Sequence, residues 1–353
     1  MSTHDPGAGD GPPQGHGPSQ RHGVPQSYGP GYGPPQGYAV RPPAPYAAPP
    51  PGYPAAPPPR PYDPVIGHDF ASWADRVKGM LKRSWRPIFK ILFFGYWLPS
   101  MALGLLVGVP AFWVYFEFLR EVLDRAGEME SAEATQRFWA LFGVLIPALL
   151  VVALVVSYLG AVANLAVMKV AVNDAAETPV APMAAYRSML RPALPAWGWV
   201  LLAGAVITFG VLACVLPGIY LYVALSLILP VMLFERRSGL SRSFSLMHSN
   251  FWPAAGRVVL VIAAISAVMF PVQMVFQILN MTLMPGLVSP QGFDADAFAT
   301  FSVVMIVETI VLQLAALLGQ MVLLVGLLAT YAELRGRQEP RLTAAQLAAE
   351  ANR

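Results

Sequence analysis

The chain has 353 residues, of which 56% are hydrophobic and 12% are charged, and its formal net charge is +3. A soluble domain carries about 25% charged residues, so this composition excludes a pair of ordinary soluble domains. The single cysteine, Cys214, excludes an intramolecular disulfide, and its apolar surroundings in the sequence predict a small, buried packing residue. We therefore expect an integral membrane protein.

The first 64 residues predict a disordered tail rich in proline, glycine and tyrosine. This segment holds 20 of the 35 prolines, 11 glycines and six tyrosines. It has too few aliphatic side chains to offset the entropy cost of ordering, and it lacks the apolar region of a secretory signal. The tail is either a plain tether or a docking segment for a protein partner, since Pro50-Pro51-Gly52-Tyr53 matches the short PPxY ligand pattern.

Residues 69–86 predict an amphipathic helix on the membrane surface. Asp69 is a suitable N-cap, and apolar residues recur at helical spacing from Phe70 to Trp85. An apolar face with tryptophan, opposite a basic face, suits a helix that lies among anionic headgroups. The alternative is a helix packed on protein. The predicted lipid-contacting cations of this helix are Arg76, Lys78, Lys82, Arg83 and Arg86.

Six apolar stretches are long enough to cross about 30 Å of hydrocarbon. They cover about residues 91–116, 138–168, 193–215, 218–234, 258–283 and 300–332. We separate the third from the fourth because residues 193–234 are about twice the length that a bilayer needs, and Pro217-Gly218 lies near their middle. The predicted fold class is an all-α, six-span transmembrane helix bundle, with a C-terminal tail at 335–353.

The distribution of lysine and arginine predicts the orientation in the cell membrane. These residues collect before the first span, in the second and fourth loops and after the sixth span. The third loop has no charge, and the fifth has only Asp294 and Asp296. Because basic loops stay on the cytoplasmic side, we expect both termini to be cytoplasmic.

Two more surface helices are predicted on that side, at about residues 182–191 and 239–250. In the second, Leu240, Phe244, Met247 and Phe251 would form the apolar face. Each surface helix precedes an aromatic–proline corner and a transmembrane hairpin, so the chain reads as three pseudo-repeats. The predicted interfacial anchors are Trp85, Trp197 and Trp252. Further anionic-lipid contacts are predicted at Arg236, Arg237 and Arg242.

The third unit carries a family resemblance. Phe234-Glu235-Arg236-Arg237, then Arg242-Ser243-Phe244, then Phe251-Trp252-Pro253 opening a membrane helix resembles a family of bacterial six-span integral membrane proteins. That family includes the membrane domain attached to some glycerophosphodiester phosphodiesterases. The resemblance covers roughly residues 70–335. In the family the hydrolase activity belongs to a separate soluble barrel domain, so the resemblance implies a membrane module without the hydrolase.

Glu308 is the one acid well inside a predicted span. A carboxylate in lipid is costly and usually pairs or serves a function. Gln273, Gln277 and Asn280 share one face of the fifth span at a similar predicted depth, so we predict a polar cluster with Glu308. The cluster would serve as structural contact between helices, as a proton or cation site, or as a ligand site.

No catalytic motif accompanies these features. All five histidines lie outside the predicted spans, and no HExxH, P-loop or dinucleotide fingerprint appears. We expect no enzyme activity, no cofactor, no metal site and no nucleic-acid binding. The leading hypothesis is a membrane scaffold, partner-binding or lipid-organising protein that acts through its basic helices. The alternative is a small transporter or lipid-translocating protein that uses the Glu308 cluster.

Overall fold

A computed structural model describes residues 63–67, 69–124, 131–236, 239–289, 292–293 and 295–353. The predicted tail, apart from its last two residues, and Arg237 lie outside these residues. The described chain is built of helices, six of which are long and apolar enough to cross a membrane. The predicted all-α, six-span architecture is confirmed, and the chain is a multi-pass membrane protein.

The helices follow one another with short connections. The α-helices are α1 Phe70–Leu92, α2 Leu98–Leu103, α3 Val109–Asp124, α4 Ser131–Ala175, α5 Pro182–Met189, α6 Ala193–Ala213, α7 Val215–Leu225, α8 Ile228–Phe234, α9 Gly239–Ser249, α10 Phe251–Leu283, α11 Ala295–Gln338 and α12 Ala344–Ala351. Two π-helical segments, π1 Phe93–Trp97 and π2 Gly104–Gly108, join α1, α2 and α3 into one rod. Between α10 and α11, a 3₁₀ turn precedes two short antiparallel strands, β1 Val288–Ser289 and β2 Gly292–Phe293.

The longest helices exceed the thickness of a bilayer. Helix α4 has 45 residues and α11 has 44, so each is roughly 66 Å long, against about 30 Å of hydrocarbon. Helix α1 begins, and helices α4, α8 and α11 end, at the same end of the bundle. We call this the basic end of the bundle, and the opposite end the distal end.

The packed core lies toward the basic end. Buried side chains concentrate in the last third of α4 and of α11, whereas the most apolar stretch of α4 contains no buried residue. Without a hydrophobic driving force between helices in lipid, the distal halves expose their leucines, valines and phenylalanines. Packing between helices of the chain therefore stabilises the basic end, whereas the distal halves expose apolar side chains suited to lipid.

The predicted separate surface helix at 69–86 is wrong. Trp73, Met80, Ser84 and Ile91 belong to one buried stripe, which keeps helical register across Pro87. Burial along this stripe offsets the hydrogen bond that proline removes, so the rod continues without interruption into the first span. The apolar face packs on α4 and α11 instead of lipid, and the Trp73 indole donates a hydrogen bond to Thr330 Oγ1 at 3.2 Å. The protein-packed alternative is the correct one.

The predicted C-terminal tail is part of the core. Helix α11 continues to Gln338, and α12 packs on α4 and α8 with Leu347 fully buried. Asp63 Oδ2 accepts a hydrogen bond from Ala344 N–H at 3.2 Å, which caps the start of α12. The last residues of the predicted N-terminal tail are thus fixed to the C-terminal helix.

The hairpin between the third and fourth spans turns at a single residue. Cys214 is extended and exposed between α6 and α7, so its predicted role as a buried packing residue is wrong. A Cβ on Gly218 would lie 2.3 Å from the Val211 side chain, so the close approach of the two helices requires glycine there. The fourth span breaks again at Ser226 and Leu227, with Pro230 in the first turn of α8.

Candidate functional site

The predicted lipid contacts of α1 form an exposed basic face. Lys78, Lys82, Arg83 and Arg86 are exposed on the side of the rod opposite the buried stripe. Among the described ion pairs, none engages them. The Arg86 guanidinium lies 5.4 Å from the centre of the exposed Trp85 ring, a cation–π contact. Arg76, predicted as a member, is half-buried.

The basic residues of the third unit divide between two roles. Arg236 is exposed at the end of α8, with φ at 51° in the left-handed region, where a side chain costs about 1–2 kcal/mol. Arg242 was predicted to contact lipid, but its Nε pairs instead with Glu235 Oε2 at 2.6 Å. That carboxylate also accepts a hydrogen bond from Tyr331 O–H at 3.0 Å.

The apolar face of α9 is also rotated from the prediction. Ser243 and Met247 are buried, whereas the predicted face residue Phe244 is exposed. Ser243 Oγ donates to the carbonyl of Ala224 at 2.9 Å, and this bond lets a hydroxyl stand on the buried side. Because Ser243 is polar, the sequence pattern did not assign it to the face of α9 that contacts protein.

Two buried ion-pair networks lie at the basic end. Glu333 Oε1 forms an ion pair with Arg257 Nη2 at 2.9 Å and accepts a hydrogen bond from Arg337 Nη2 at 2.6 Å, and Glu333 is 1% exposed. Arg335 donates to Glu350 through both terminal guanidinium nitrogens, and its Nη1 also donates to the Tyr331 hydroxyl oxygen at 3.3 Å. Glu333 and Glu350 are thus paired with arginines inside the fold and do not pair with the exposed cations of α1.

Lys169 is a buried cation that sequence patterns do not distinguish from a loop lysine. It is 7% exposed on the part of α4 that packs against α5, and its Nζ donates to Ser188 Oγ at 3.2 Å. Lys169 therefore joins α4 to α5 and does not belong to the exposed basic surface.

The three predicted tryptophan anchors do not share one environment. Trp252 is 82% exposed and Trp85 is also exposed, as interfacial anchors require. Trp197 is half-buried instead, and its indole donates to Ser157 Oγ at 2.9 Å and meets the Tyr158 ring edge-on. Its role is to join α6 to α4.

Of the predicted polar cluster, the described hydrogen bonds join only Asn280 and Glu308. Asn280 Nδ2 donates to Glu308 Oε2 at 2.7 Å, and both residues are half-buried. Gln273 and Gln277 are exposed, and no described hydrogen bond joins them to Glu308. Helix α11 begins 13 residues before Glu308, so its first turns project past the end of α10 and leave Glu308 level with the last turn of that helix.

A cavity of about 360 Å³ lies between the first rod, α4, α6, α8 and α11. The sequence alone does not show that the amide side chains lining this cavity lie close together. Gln320 Nε2 donates to Asn164 Oδ1 at 3.1 Å across 156 residues of chain. The lining residues are Leu92, Tyr96, Trp97, Ser157, Gly160, Ala161, Asn164, Val200, Leu229, Gln313, Ala316, Leu317 and Gln320. None of the four residues predicted around Glu308 is among them.

Within the described ranges, no group of three or more His, Cys, Asp or Glu side chains is placed to hold a metal ion. No protein-family model, curated protein or solved structure matches the chain. The resemblance to the membrane domain of glycerophosphodiester phosphodiesterases stays a prediction.

Proposed function

We propose that the chain is a non-enzymatic membrane protein that organises anionic phospholipids around its basic end. The observation that carries this proposal is the exposed row of Lys78, Lys82, Arg83 and Arg86 beside Trp85, with no described acid paired to it. Lipid phosphates are the obvious counter-charges for such a row at a membrane surface.

The continuous rod supports this function because it sets the height of each cation. Lys90 is the last charge before the uncharged first span. Arg86 lies about 6 Å and Lys78 about 18 Å farther along the helix axis. Arg86 and Trp85 thus stand at headgroup level, whereas Lys78 lies about two Debye lengths from Lys90. Each cation near the surface is worth about 1 kcal/mol of attraction to an anionic leaflet.

The same end is rigid, which favours lateral ordering of lipids. Helix α1 is fixed by its buried stripe, and the ion pairs of Glu333 and Arg335 join α10, α11 and α12 behind it. Cations on a rigid frame lose little freedom when a phosphate binds. We further propose that this end faces the cytoplasmic leaflet of the cell membrane, since that leaflet carries the anionic lipid.

The geometry favours this reading over transport through a Glu308 cluster. Asn280 already satisfies one oxygen of Glu308, and the lining of the described cavity does not include either residue. The pair is accounted for as a contact between α10 and α11. A protein partner of the N-terminal tail is a separate proposal, tested by copurification with and without residues 1–62.

Native mass spectrometry of protein taken from bilayers of equal phosphatidylglycerol and phosphatidylcholine tests the proposal. Lys82→Gln/Arg86→Gln should retain fewer phosphatidylglycerol molecules than the native chain. The matched control is Arg341→Gln/Arg353→Gln, which removes the same charge from exposed residues after α11. An equal decrease in retained phosphatidylglycerol in both variants, or no decrease in either, would overturn the proposal. Lipid retention would then not depend on the position of the cations.

A further inference from the structure

The cavity is closed toward the basic end and open toward the distal half. Leu92, Ala161 and Leu317 are buried at its floor, whereas Ser157 and Gln313 are exposed at its mouth. Gln313 and Gln320 are seven residues apart on α11, so the cavity is about 10 Å deep. The mouth opens where the helices expose apolar side chains, so an occupant enters from the hydrocarbon.

Three residues that line the cavity have hydrogen-bonding groups without a partner among the described hydrogen bonds. The bond from Gln320 to Asn164 takes one donor and one acceptor. The Asn164 NH₂ group and the Gln320 carbonyl have no further partner among the described hydrogen bonds. The Trp97 indole N–H is buried and also has none. Buried polar groups are normally paired, so these groups are suited to a ligand that both accepts and donates hydrogen bonds.

A local distortion of the first rod places Trp97 and Tyr96 on the cavity wall. Both belong to π1, whose Gly95 carbonyl accepts a hydrogen bond from Tyr186 O–H at 2.8 Å. A Cβ on Gly95 would lie 2.5 Å from the Tyr186 ring, so α5 packs directly against the distorted turn. Single π-helical turns inside α-helices frequently occur at functional sites.

We propose that this cavity binds the uncharged polar end of a membrane-soluble amphiphile, such as a hydroxyl or carbonyl group on an acyl or isoprenoid chain. Of the described residues that line it, none is charged, so a phosphate or ammonium head would be buried without a counter-charge. The volume lies within the range of small-molecule pockets. This site uses different residues from the anionic-lipid surface and is independent of that function.

Photocrosslinking of the full chain in phosphatidylcholine nanodiscs tests the proposal. The probe is a monoacylglycerol with a diazirine near its ester, and the comparison probe has the same chain with a phosphate head. The monoacylglycerol should label peptides that contain Trp97, Asn164 and Gln320, and unlabelled monoacylglycerol should compete. The phosphate probe should label these peptides at least fivefold less.

Variants separate binding in the cavity from general lipid contact. Ala316→Phe at the mouth should reduce labelling at least fivefold, whereas Leu318→Phe, on the same helix but outside the lining, should leave it unchanged. Trp97→Phe keeps an aromatic ring, removes the unpaired donor and should reduce labelling about threefold. Unchanged labelling in Ala316→Phe and Trp97→Phe, or equal labelling by the phosphate probe, would overturn the proposal. If the native chain shows no selectivity for phosphatidylglycerol but the monoacylglycerol still labels the cavity peptides, only the proposed function is refuted.

Discussion

Glu333 is the residue whose replacement should damage the fold most clearly. It is 1% exposed and forms an ion pair at 2.9 Å with Arg257, which is itself 4% exposed. Glu333→Met leaves the Arg257 guanidinium buried without its counter-charge. Loss of one partner of a buried pair costs about 3–5 kcal/mol. The bond to the partly exposed Arg337 adds at most about 1 kcal/mol, because solvent screens it.

The assay is reversible unfolding in mixed micelles, followed by circular dichroism, with Glu177→Gln as an exposed control. Replacing both partners, Arg257→Met/Glu333→Met, should recover part of the loss, because two apolar side chains need no pairing. The coupling free energy from this double-mutant cycle should exceed about 1 kcal/mol. A single variant as stable as the control, or strictly additive losses, would refute the argument that this pair ties α10 to α11.

Three other predictions address the first rod and the distal hairpin. Gly95→Ala should lower the apparent melting temperature, because its Cβ would lie 2.5 Å from the Tyr186 ring and overpacking costs about 1–3 kcal/mol. Hydrogen bonds from the Ser72 side chain and backbone hold the pKa of Asp69 below its usual 3.8; its capping contribution is therefore complete above that value and lost as pH falls below it, which amide exchange at the start of α1 should show. Cys214, exposed at the hairpin tip, should react with a membrane-impermeant maleimide from the side opposite the termini.

Each of these predictions has a matched control. Gly104→Ala places its Cβ in open space, so a loss of stability as large as that of Gly95→Ala would contradict the packing argument. Asp69→Asn should remove the acid-dependent step in amide exchange, and a step that persists would assign it to another group. Labelling of Cys214 from the side of the termini would contradict the predicted orientation.

The spans were predictable because their determinants are local. An uncharged, predominantly apolar run of about 20 residues predicts a membrane helix from its own composition and length. The predicted helix end before Pro87 was wrong because proline breaks helices by a local effect. The stripe from Trp73 to Ile91 that keeps this helix continuous is buried only after α4 and α11 have packed on it. Tertiary burial outweighed the local signal there.

The basic end and the cavity depend on distant partners. Arg257 and Glu333 are separated by 76 positions, and Asn164 and Gln320 by 156, so a single sequence presents their polar groups without their pairings. The same limit affected Arg242, whose acid Glu235 lies on the far side of a helix connection. Exposed cations such as Lys82 could be recognised because nothing in the fold has to neutralise them.

The most direct test of the lipid-organising function is the immobilised fraction of spin-labelled lipid around the protein. The native chain should immobilise phosphatidylglycerol in preference to phosphatidylcholine at low salt, and the preference should weaken as salt screens the surface charge. Lys82→Gln/Arg86→Gln should reduce it, whereas Arg341→Gln/Arg353→Gln should not. Equal immobilisation of the two lipids by the native chain would contradict the account.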